Sequence, residues 1–167
     1  MGLMSFVKSA GAAIFGSDEE EKKIEAEVQA QADAQREKLE RLKKARALQM
    51  KVEELGLEIE NADIRVEGST VILGGKVADQ ATAEKISLAI GNINGIEAVD
   101  NRLEVENTEP EAQFHTVASG DTLGAIAQKY YGKASKYPVI FEANKPMLKD
   151  PDKIYPGQVL RIPPQED

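Results

Sequence analysis

The chain has 167 residues, a formal net charge of −8 at pH 7 and no cysteine. A length of this order leaves room for two small domains. The acidic balance argues against nucleic acid and anionic membrane surfaces as partners and makes cations the more natural ligands. The lack of cysteine excludes disulfides and thiolate metal sites and fits a reducing compartment.

Residues 1–16 have an apolar character that predicts a short amphipathic helix. One face of this helix carries Leu3, Phe6, Val7 and Ala10. The segment lacks a basic leading region and Lys8 interrupts its apolar stretch, so it is a poor secretory signal. No stretch of the sequence approaches the roughly 18 apolar residues that a membrane span needs. We therefore expect a cytoplasmic protein that does not enter the membrane.

Residues 17–46 are rich in charged residues, glutamine and alanine and contain neither glycine nor proline, which predicts a long solvated helix. A sparse apolar stripe continues beyond this segment: Ile24, Val28, Leu39, Leu42, Leu48, Val52 and Leu55. We expect the second half of the helix to pack on the following domain and the first half to be exposed. A short coiled coil or dimer seam is the alternative, although only alanines bridge the gap between Val28 and Leu39. A monomer is the default expectation.

Residues 47–105 predict a domain of the order helix, strand, strand, helix, strand. After the helix that ends before Gly56, Ile64 and Val66 alternate in a strand, and the chain turns at residues 67–69 and returns as a second strand. Asp79 can cap a helix that ends in the segment Gly91–Gly95. The buried face of that helix is predicted to consist of Ala83, Ile86, Ile90 and Ile93. A last strand contains Val99, Leu103 and Val105.

This order of elements and two sequence segments resemble a BON domain. The first segment is IRVEGSTVILGGKV at residues 64–77, and the second is GIEAVDN at residues 95–101, which is similar to the Gly-Val-x-x-Val-x-Asn segment of that family. Residues 106–113 follow with Thr108 and Pro110 and are predicted to be a linker.

Residues 114–164 predict a second domain of the order strand, helix, helix, strand. A strand over residues 115–118 is followed by a turn at Gly120, and a helix begins near Thr122 and ends at Gly132 in a left-handed conformation. A second helix starts from about Pro138 and ends at Asn144. Residues 159–162 return as a strand. The whole chain is therefore predicted to have an α+β fold, with an amino-terminal helical segment and two small domains.

The second domain resembles a LysM domain through HTV at 115–117, SGDTL at 119–123, YG at 131–132, AN at 143–144, and IYPGQ at 154–158 before LRIP at 160–163. LysM domains commonly bind polymers of N-acetylglucosamine in a shallow groove between two loops. The resemblance implies that this groove would involve Gly120, Asp121, Thr122, Asn144, Ile154 and Tyr155. The same residue types also serve structural purposes, because Asp121 or Thr122 can cap a helix and Asn144 can tether a turn.

A BON domain, a carboxyl-terminal LysM domain and a start of the form MGL..FVK.AG together resemble the cytoplasmic bacterial potassium-binding protein family. The long charged helix at residues 17–46 is the main departure, since it is extended relative to that pattern. The resemblance implies that K⁺ is held where the amino-terminal helix meets the turn after the second BON helix. The implied ligands are the backbone oxygens of Val7, Ala10, Ala12, Gly91, Ile93 and Ile96.

Potassium binding also has a physical rationale in the residues. A cage of neutral carbonyl oxygens can replace the hydration shell of K⁺, and the end of a helix exposes carbonyls that lack internal partners. Gly91–Ile96 is such an end, with two glycines. The competing interpretation is that Gly91 and Gly95 only terminate a helix while Ile93 and Ile96 fill the core. Whether larger alkali ions also fit is left open.

We expect ion binding to order the BON and LysM domains, which describes an ion sensor or buffer rather than an enzyme. His115 is the only histidine, and the sequence has no phosphate loop, zinc-type spacing or EF-hand. The alternative function is a peptidoglycan-binding or N-acetylglucosamine-binding protein of the cell envelope. A protein partner, docked through the LysM domain or the charged helix, is compatible with either function.

Overall fold

The computed structural model describes residues 18–165. It contains a long helix α1 (Asp18–Glu54), strands β1 (Glu60–Glu67) and β2 (Thr70–Asp79), helix α2 (Gln80–Gly91) and strand β3 (Ala98–Asn107). Strand β4 (Gln113–Thr116), helices α3 (Leu123–Tyr131) and α4 (Tyr137–Ala143) and strand β5 (Val159–Ile162) follow. The order of helices and strands is the predicted one, and the α+β fold is confirmed.

Helix α1 contains both the predicted charged helix and the predicted first helix of the BON domain in one continuous element. Every residue from 18 to 40 is exposed. Further along, Leu48 and Val52 are buried because they pack against the sheet and α2. Four acidic residues occupy its first turn, where the positive end of the helix dipole stabilises them.

The BON domain has a three-stranded sheet in the order β1–β2–β3. Strands β1 and β2 form an antiparallel hairpin, in which Val66 lies opposite Val71. Strand β3 pairs with β2 in parallel, and α2 is the crossover between them. Val71, Leu73, Ile86 and Ile90 form the centre of the core. The pairing places the start of β3, and the turn that precedes it, beside the β1–β2 hairpin.

Helix α2 begins at the predicted cap and ends within the predicted segment Gly91–Gly95, so that Ile93, which the sequence predicts on its buried face, lies in the turn after it and is partly buried. The carboxylate of Asp79 accepts a hydrogen bond from the Thr82 N–H at 2.7 Å, which caps the first turn. The helix ends at Gly91, and Asn92 is the capping residue at its carboxyl end. This end of α2 is the part of the BON domain that the sequence singles out as an ion site.

The LysM domain consists of the antiparallel pair β4–β5 and the helices α3 and α4. Its core contains Val117, Leu123, Ile126, Ala127, Tyr131, Ile140, Leu148, Leu160 and Ile162. Thr122 caps α3, and Gly132 ends it with a φ of 70°, both as predicted. Helix α4 starts one residue before Pro138, after a short 3₁₀ turn at Ala134–Lys136.

Strand β4 begins and ends two residues earlier than predicted. It ends at Thr116, although the backbone of Val117 still bonds to the amide of Gly157 and the carbonyl of Gln158, each at 2.8 Å. These two contacts form at the turn into β5 and lie outside the regular strand pair. The difference arises because the pairing partner, which sequence periodicity does not reveal, decides where a short edge strand ends.

Candidate functional site

The turn that connects α2 to β3 is tightly built from backbone hydrogen bonds. The amide of Asn92 donates to Leu88 O at 3.0 Å, and the amide of Ile93 donates to Ile90 O at 3.0 Å. The amide of Ile96 then donates to Ile93 O at 3.1 Å, which closes the turn. Gly95 has a φ of 90°, a left-handed conformation that favours glycine.

This turn exposes backbone while its two apolar side chains point into the domain. Ile93 and Ile96 are partly buried and pack against the BON core, whereas Gly91, Asn92, Asn94 and Gly95 are exposed. The competing interpretation, that the isoleucines fill the core, is therefore correct for their side chains. The carbonyl oxygen of Ile93 accepts one amide bond, from Ile96, and a carbonyl oxygen has a second lone pair.

The donor set of the turn suits a weakly charged, hard cation. Carbonyls at the carboxyl end of a helix carry the negative end of its dipole and are neutral, which fits K⁺. Within residues 18–165, no group of three or more histidine, aspartate or glutamate side chains is arranged to hold a metal ion. The predicted ligands Gly91, Ile93 and Ile96 lie in this one turn, and their binding of K⁺ stays a prediction.

The other three predicted ligands, Val7, Ala10 and Ala12, lie outside the described residues.

The turn is fixed to the β1–β2 hairpin at its far end. The Ser69 hydroxyl donates to the Glu97 carboxylate at 2.7 Å, and the Glu97 amide donates to Ser69 O at 2.9 Å. These two bonds hold the start of β3 in register beside the hairpin. The carboxylate of Glu97 also places a negative charge next to the turn in sequence.

At its near end the turn is bound to the LysM domain through Asn92. The Asn92 side chain donates from Nδ2 to Val159 O at 3.0 Å and accepts from the Val159 amide at Oδ1 at 2.8 Å. One carboxamide therefore satisfies both backbone groups of a residue in β5. Sequence reasoning assigned Asn92 only to the turn and gave it no partner.

A buried ion pair lies close to this contact and joins the same two elements. Arg161 Nε on β5 donates to Glu84 Oε2 on α2 at 2.5 Å, and the two side chains are only 9% and 5% exposed. Glu84 Oε1 also accepts a hydrogen bond from the Ala112 amide at 3.0 Å, which holds the end of the linker to α2. Sequence analysis missed both residues, because a lone charge beside apolar positions is usually solvated and only the tertiary contact reveals its partner.

The predicted glycan loop before α3 contains a closed hydrogen-bond network. Asp121 Oδ2 accepts from the Ala118 amide at 2.9 Å and from His115 Nε2 at 2.9 Å. Two hydrogen bonds hold the pKa of Asp121 below its ordinary value. The bond from the Ala118 amide has the larger effect, and the bond from His115 adds to it. On the other side of the ring, His115 Nδ1 lies 3.2 Å from the Tyr130 hydroxyl. Since a carboxylate only accepts, Nε2 carries a proton, and in the neutral imidazole the Tyr130 hydroxyl is then the donor to Nδ1.

Thr122 and Asn144, two further residues of the predicted glycan groove, have structural roles. Thr122 Oγ1 accepts from the Ala125 amide at 3.1 Å and caps α3. Asn144 is 2% exposed, and its side chain bonds to Ile140 O, Arg161 O and the Arg161 amide at 2.7–2.8 Å. Its carboxamide therefore holds α4 to β5 and does not face solvent.

The remaining groove residues differ in exposure. Gly120 is exposed with a φ of 89°, and Ile154 is partly buried against the LysM core. Tyr155 is 64% exposed, and its amide donates a hydrogen bond to Gln158 Oε1 at 3.1 Å. Of the six predicted groove residues, Tyr155 offers the largest exposed side chain, with an apolar ring and a polar hydroxyl.

No helix within the described part of the chain is long and apolar enough to cross a membrane.

Two protein-family models match this chain. The BON domain model matches residues 21–107, and the LysM domain model matches residues 115–163. The BON match includes most of α1 and every strand of the three-stranded sheet. The LysM match begins within β4 and ends directly after β5.

Among curated proteins, the potassium binding protein Kbp of Escherichia coli O6:H1 is 40% identical over 164 residues, which is 98% of this chain and 99% of that protein. An uncharacterised protein of Deinococcus radiodurans is 32% identical over 112 residues, covering 60% of this chain and 44% of its own length. An esterase of Mycobacterium tuberculosis is 47% identical over 53 residues, which is only 11% of the esterase. The chain therefore belongs to the family of proteins with a BON domain followed by a LysM domain that includes the Escherichia coli potassium binding protein.

Proposed function

We propose that this protein binds K⁺ through backbone carbonyl oxygens of the turn between α2 and β3, with Gly91, Ile93 and Ile96 as ligands, and that the amino-terminal segment supplies Val7, Ala10 and Ala12. The observation that carries the proposal is 40% identity with the potassium binding protein along almost the whole length of both chains. The chemistry of the turn supports it, since the carboxyl end of a helix offers neutral oxygens of the kind that K⁺ prefers.

Binding would stabilise the folded protein by mass action. An ion that binds only the native state at 100 times its dissociation constant adds about 2.7 kcal/mol to the free energy of unfolding. This increment is a large fraction of the stability of a small domain. We propose that it orders the BON and LysM domains against each other, so that the protein acts as an ion sensor or buffer in the cytoplasm.

The test is thermal unfolding in an ion-free organic buffer, compared with potassium chloride and sodium chloride at matched ionic strength. Matching the ionic strength ensures that charge screening cannot imitate binding. We expect a saturable rise of the melting temperature with potassium and a much smaller response to sodium. Rubidium and caesium chloride test whether larger ions fit. Equal responses to potassium and sodium would contradict the proposal.

A pair of glycine variants tests the location of the site. Gly95 and Gly120 have φ values of 90° and 89°, and an added β-carbon would meet no atom within 4 Å at either. Alanine at each position should therefore cost a similar backbone strain of about 1 kcal/mol. We expect Gly95→Ala to reduce the potassium-dependent rise and Gly120→Ala to preserve it. If the potassium-dependent rise in melting temperature is equally reduced in both variants, the result would contradict a site in the turn that contains Gly95.

A second candidate function is contact with an N-acetylglucosamine polymer by the LysM domain. It is favoured by the LysM match and by the exposure of Tyr155 beside β5. Co-sedimentation with purified cell-wall sacculi tests it: Tyr155→Ala should release the protein, whereas Tyr137→Ala, which removes a 42% exposed tyrosine on α4, should not. No sedimentation of the unaltered protein would rule this function out.

A further inference from the structure

The outer edge of strand β5 is covered by two asparagine side chains instead of a third strand. Among the described residues, 18–165, strand β5 has β4 as its strand partner along one edge. Val159 and Arg161 are two positions apart, so their backbone groups face the same edge of the strand. Asn144 bonds to the amide and carbonyl of Arg161 at 2.7 and 2.8 Å, and Asn92 bonds to the amide and carbonyl of Val159 at 2.8 and 3.0 Å.

These two asparagines come from different domains. Asn144 belongs to the LysM domain and is buried, whereas Asn92 belongs to the BON domain and lies 67 positions before Val159. A carboxamide has one acceptor oxygen and two donor hydrogens, so it can imitate the backbone of a neighbouring strand residue. The LysM sheet edge is therefore completed by a side chain of the proposed ion-binding turn.

The side chain of Asn92 and the proposed ion ligands are parts of the same short backbone segment. Asn92 lies between Gly91 and Ile93, whose carbonyl oxygens are proposed to bind the ion. Its side chain is engaged with β5, while its own amide is bonded to Leu88 O at 3.0 Å. A displacement of Asn92 relative to β5 therefore changes the peptide groups on both sides of it.

The buried pair of Glu84 and Arg161 restricts α2 at a second point. It joins α2 to β5 two turns before Asn92 and just beyond Val159. Two contacts along one helix fix both its position and its rotation on β5, whereas one contact would leave it free to pivot. The LysM domain thus holds the carboxyl end of α2, from which the turn emerges.

We propose that Asn92 is a positioning residue: its contact with Val159 sets the geometry of the ion-binding turn, so that potassium binding and docking of the LysM domain strengthen each other. This inference rests on the proposed function. Coupling of this kind is reciprocal, since a contact that favours the ion-bound turn is itself favoured by the ion. Docking of the LysM domain accordingly stabilises the ion-bound conformation of the turn in the same chain.

The test compares Asn92→Ala with Asn107→Ala in the full-length chain. Asn107 is a matched control, because its exposed side chain also donates to a backbone carbonyl, that of Ala78 at 3.0 Å, within the BON domain but away from β5. Potassium affinity is measured by titration calorimetry, and the backbone amide resonances of Val159, Ile93 and Ile96 are followed by NMR. Circular dichroism verifies that each variant is folded at the temperature of the titration.

We expect Asn92→Ala to weaken potassium binding by about fivefold or more, which is the lower end of typical allosteric coupling. The Val159 amide should no longer shift with potassium, although Ile93 and Ile96 still respond. Asn107→Ala should retain both properties. A merely structural role for Asn92 would lower the melting temperature without removing the response at Val159.

Three results would overturn the inference, and they separate it from the proposed function. Unchanged affinity and an unchanged Val159 response in Asn92→Ala would overturn the inference alone. The absence of potassium binding in the unaltered protein would overturn the proposed function and the inference with it. If Asn92→Ala does not fold, Asn92→Ser serves instead, since one short hydroxyl cannot engage both backbone groups of Val159; unchanged affinity there would also overturn the inference.

Discussion

Among the described glycines, Gly75 in β2 is the one at which a β-carbon would lie closer than 3 Å to another atom. Its φ is 127°, and a β-carbon would lie 2.5 Å from Ile59 Cγ2 and 2.8 Å from Glu60 O. The close approach occurs beside the irregularity in the β1–β2 register between Glu60 and Asp63. Glycine is needed here both for the conformation and for the contact with β1.

We expect Gly75→Ala to lower the free energy of unfolding by about 2 kcal/mol or more, because it combines backbone strain with a steric clash. Gly74→Ala is the control, since its β-carbon would lie no closer than 3.4 Å to another atom and its φ is not positive. Urea denaturation followed by circular dichroism measures both. Similar midpoints for the two variants would show that the hairpin relaxes to accept the side chain.

Some residues that identify the LysM family have a structural role in this chain. The SGDTL and AN segments identify the LysM domain, yet Asp121, Thr122 and Asn144 are engaged in bonds that stabilise the domain itself. The sequence could propose both roles, since a capping residue and a ligand residue have the same chemistry. Only the partners of each atom in the folded chain distinguish them.

Among the elements, α1 combines two environments in one helix. Val28 in its first part is 60% exposed, whereas Val52 in its last part is 2% exposed and packs in the BON core. The sequence predicted that the first half of residues 17–46 is exposed and that the second half packs. The second part of this prediction is wrong, because Leu39 and Leu42 are 52% and 58% exposed and the first buried side chain of α1 is Leu48. The stability of the BON domain should therefore depend on the last turns of α1 and not on its exposed part.

The same substitution in the two parts of α1 tests this division. Val52→Ala should lower the free energy of unfolding by about 2 kcal/mol, because it removes buried methyl groups and leaves a cavity. Val28→Ala should change it by less than about 0.5 kcal/mol. Chemical denaturation of both variants gives the comparison. A comparable loss for Val28→Ala would reveal that this face is covered in solution, for instance by a second copy of the chain.

Element boundaries were predictable where a local signal determines them. Asp79, Thr122 and Gly132 mark helix ends by their own side chain or by their φ, and these ends are where the sequence predicts them. Strand β4 begins and ends two residues earlier than predicted, because no capping side chain or glycine marks its ends in the sequence. The parallel pairing of β2 with β3 was not predicted either, since period-two alternation is the same in parallel and antiparallel strands.

At the scale of the whole molecule, contacts between α2 and β5 join the BON and LysM domains. The ion pair of Glu84 with Arg161 is almost fully buried, and Glu84 also accepts from the Ala112 amide. Removing one member of such a pair leaves a buried charge without its partner, which is far more costly than losing an exposed pair. The two small domains should therefore unfold together.

We expect Glu84→Ala to lower the free energy of unfolding by about 3 kcal/mol or more. Glu104→Ala removes an exposed carboxylate that lies 3.8 Å from Lys76 Nζ and should cost at most about 1 kcal/mol. All four tyrosines lie in the LysM domain and there is no tryptophan, so intrinsic fluorescence reports on that domain alone. Circular dichroism reports on all helices.

In the unaltered protein the two signals should give one coincident transition, as expected for a cooperative unit. In Glu84→Ala the fluorescence transition should separate from that of circular dichroism, because the LysM domain loses its anchor on α2. Coincident transitions in Glu84→Ala would mean that Asn92 and the linker suffice to couple the domains. Separate transitions in the unaltered protein would contradict the cooperative unit.

The sequence by itself determined the order of helices and strands and the caps of α2 and α3, because these follow from local chemistry, namely hydrophobic period, capping side chains and glycines. It also determined the family, through the segments that resemble BON and LysM domains. The turn Gly91–Ile96 as an ion site stays a prediction that this resemblance implies. The tertiary structure alone decided that Asn92 completes the edge of β5, that Glu84 pairs with Arg161, and that Asn144 is buried. Those contacts join residues 17 to 77 positions apart, and a local pattern carries no information about which distant backbone or charge a polar side chain will meet.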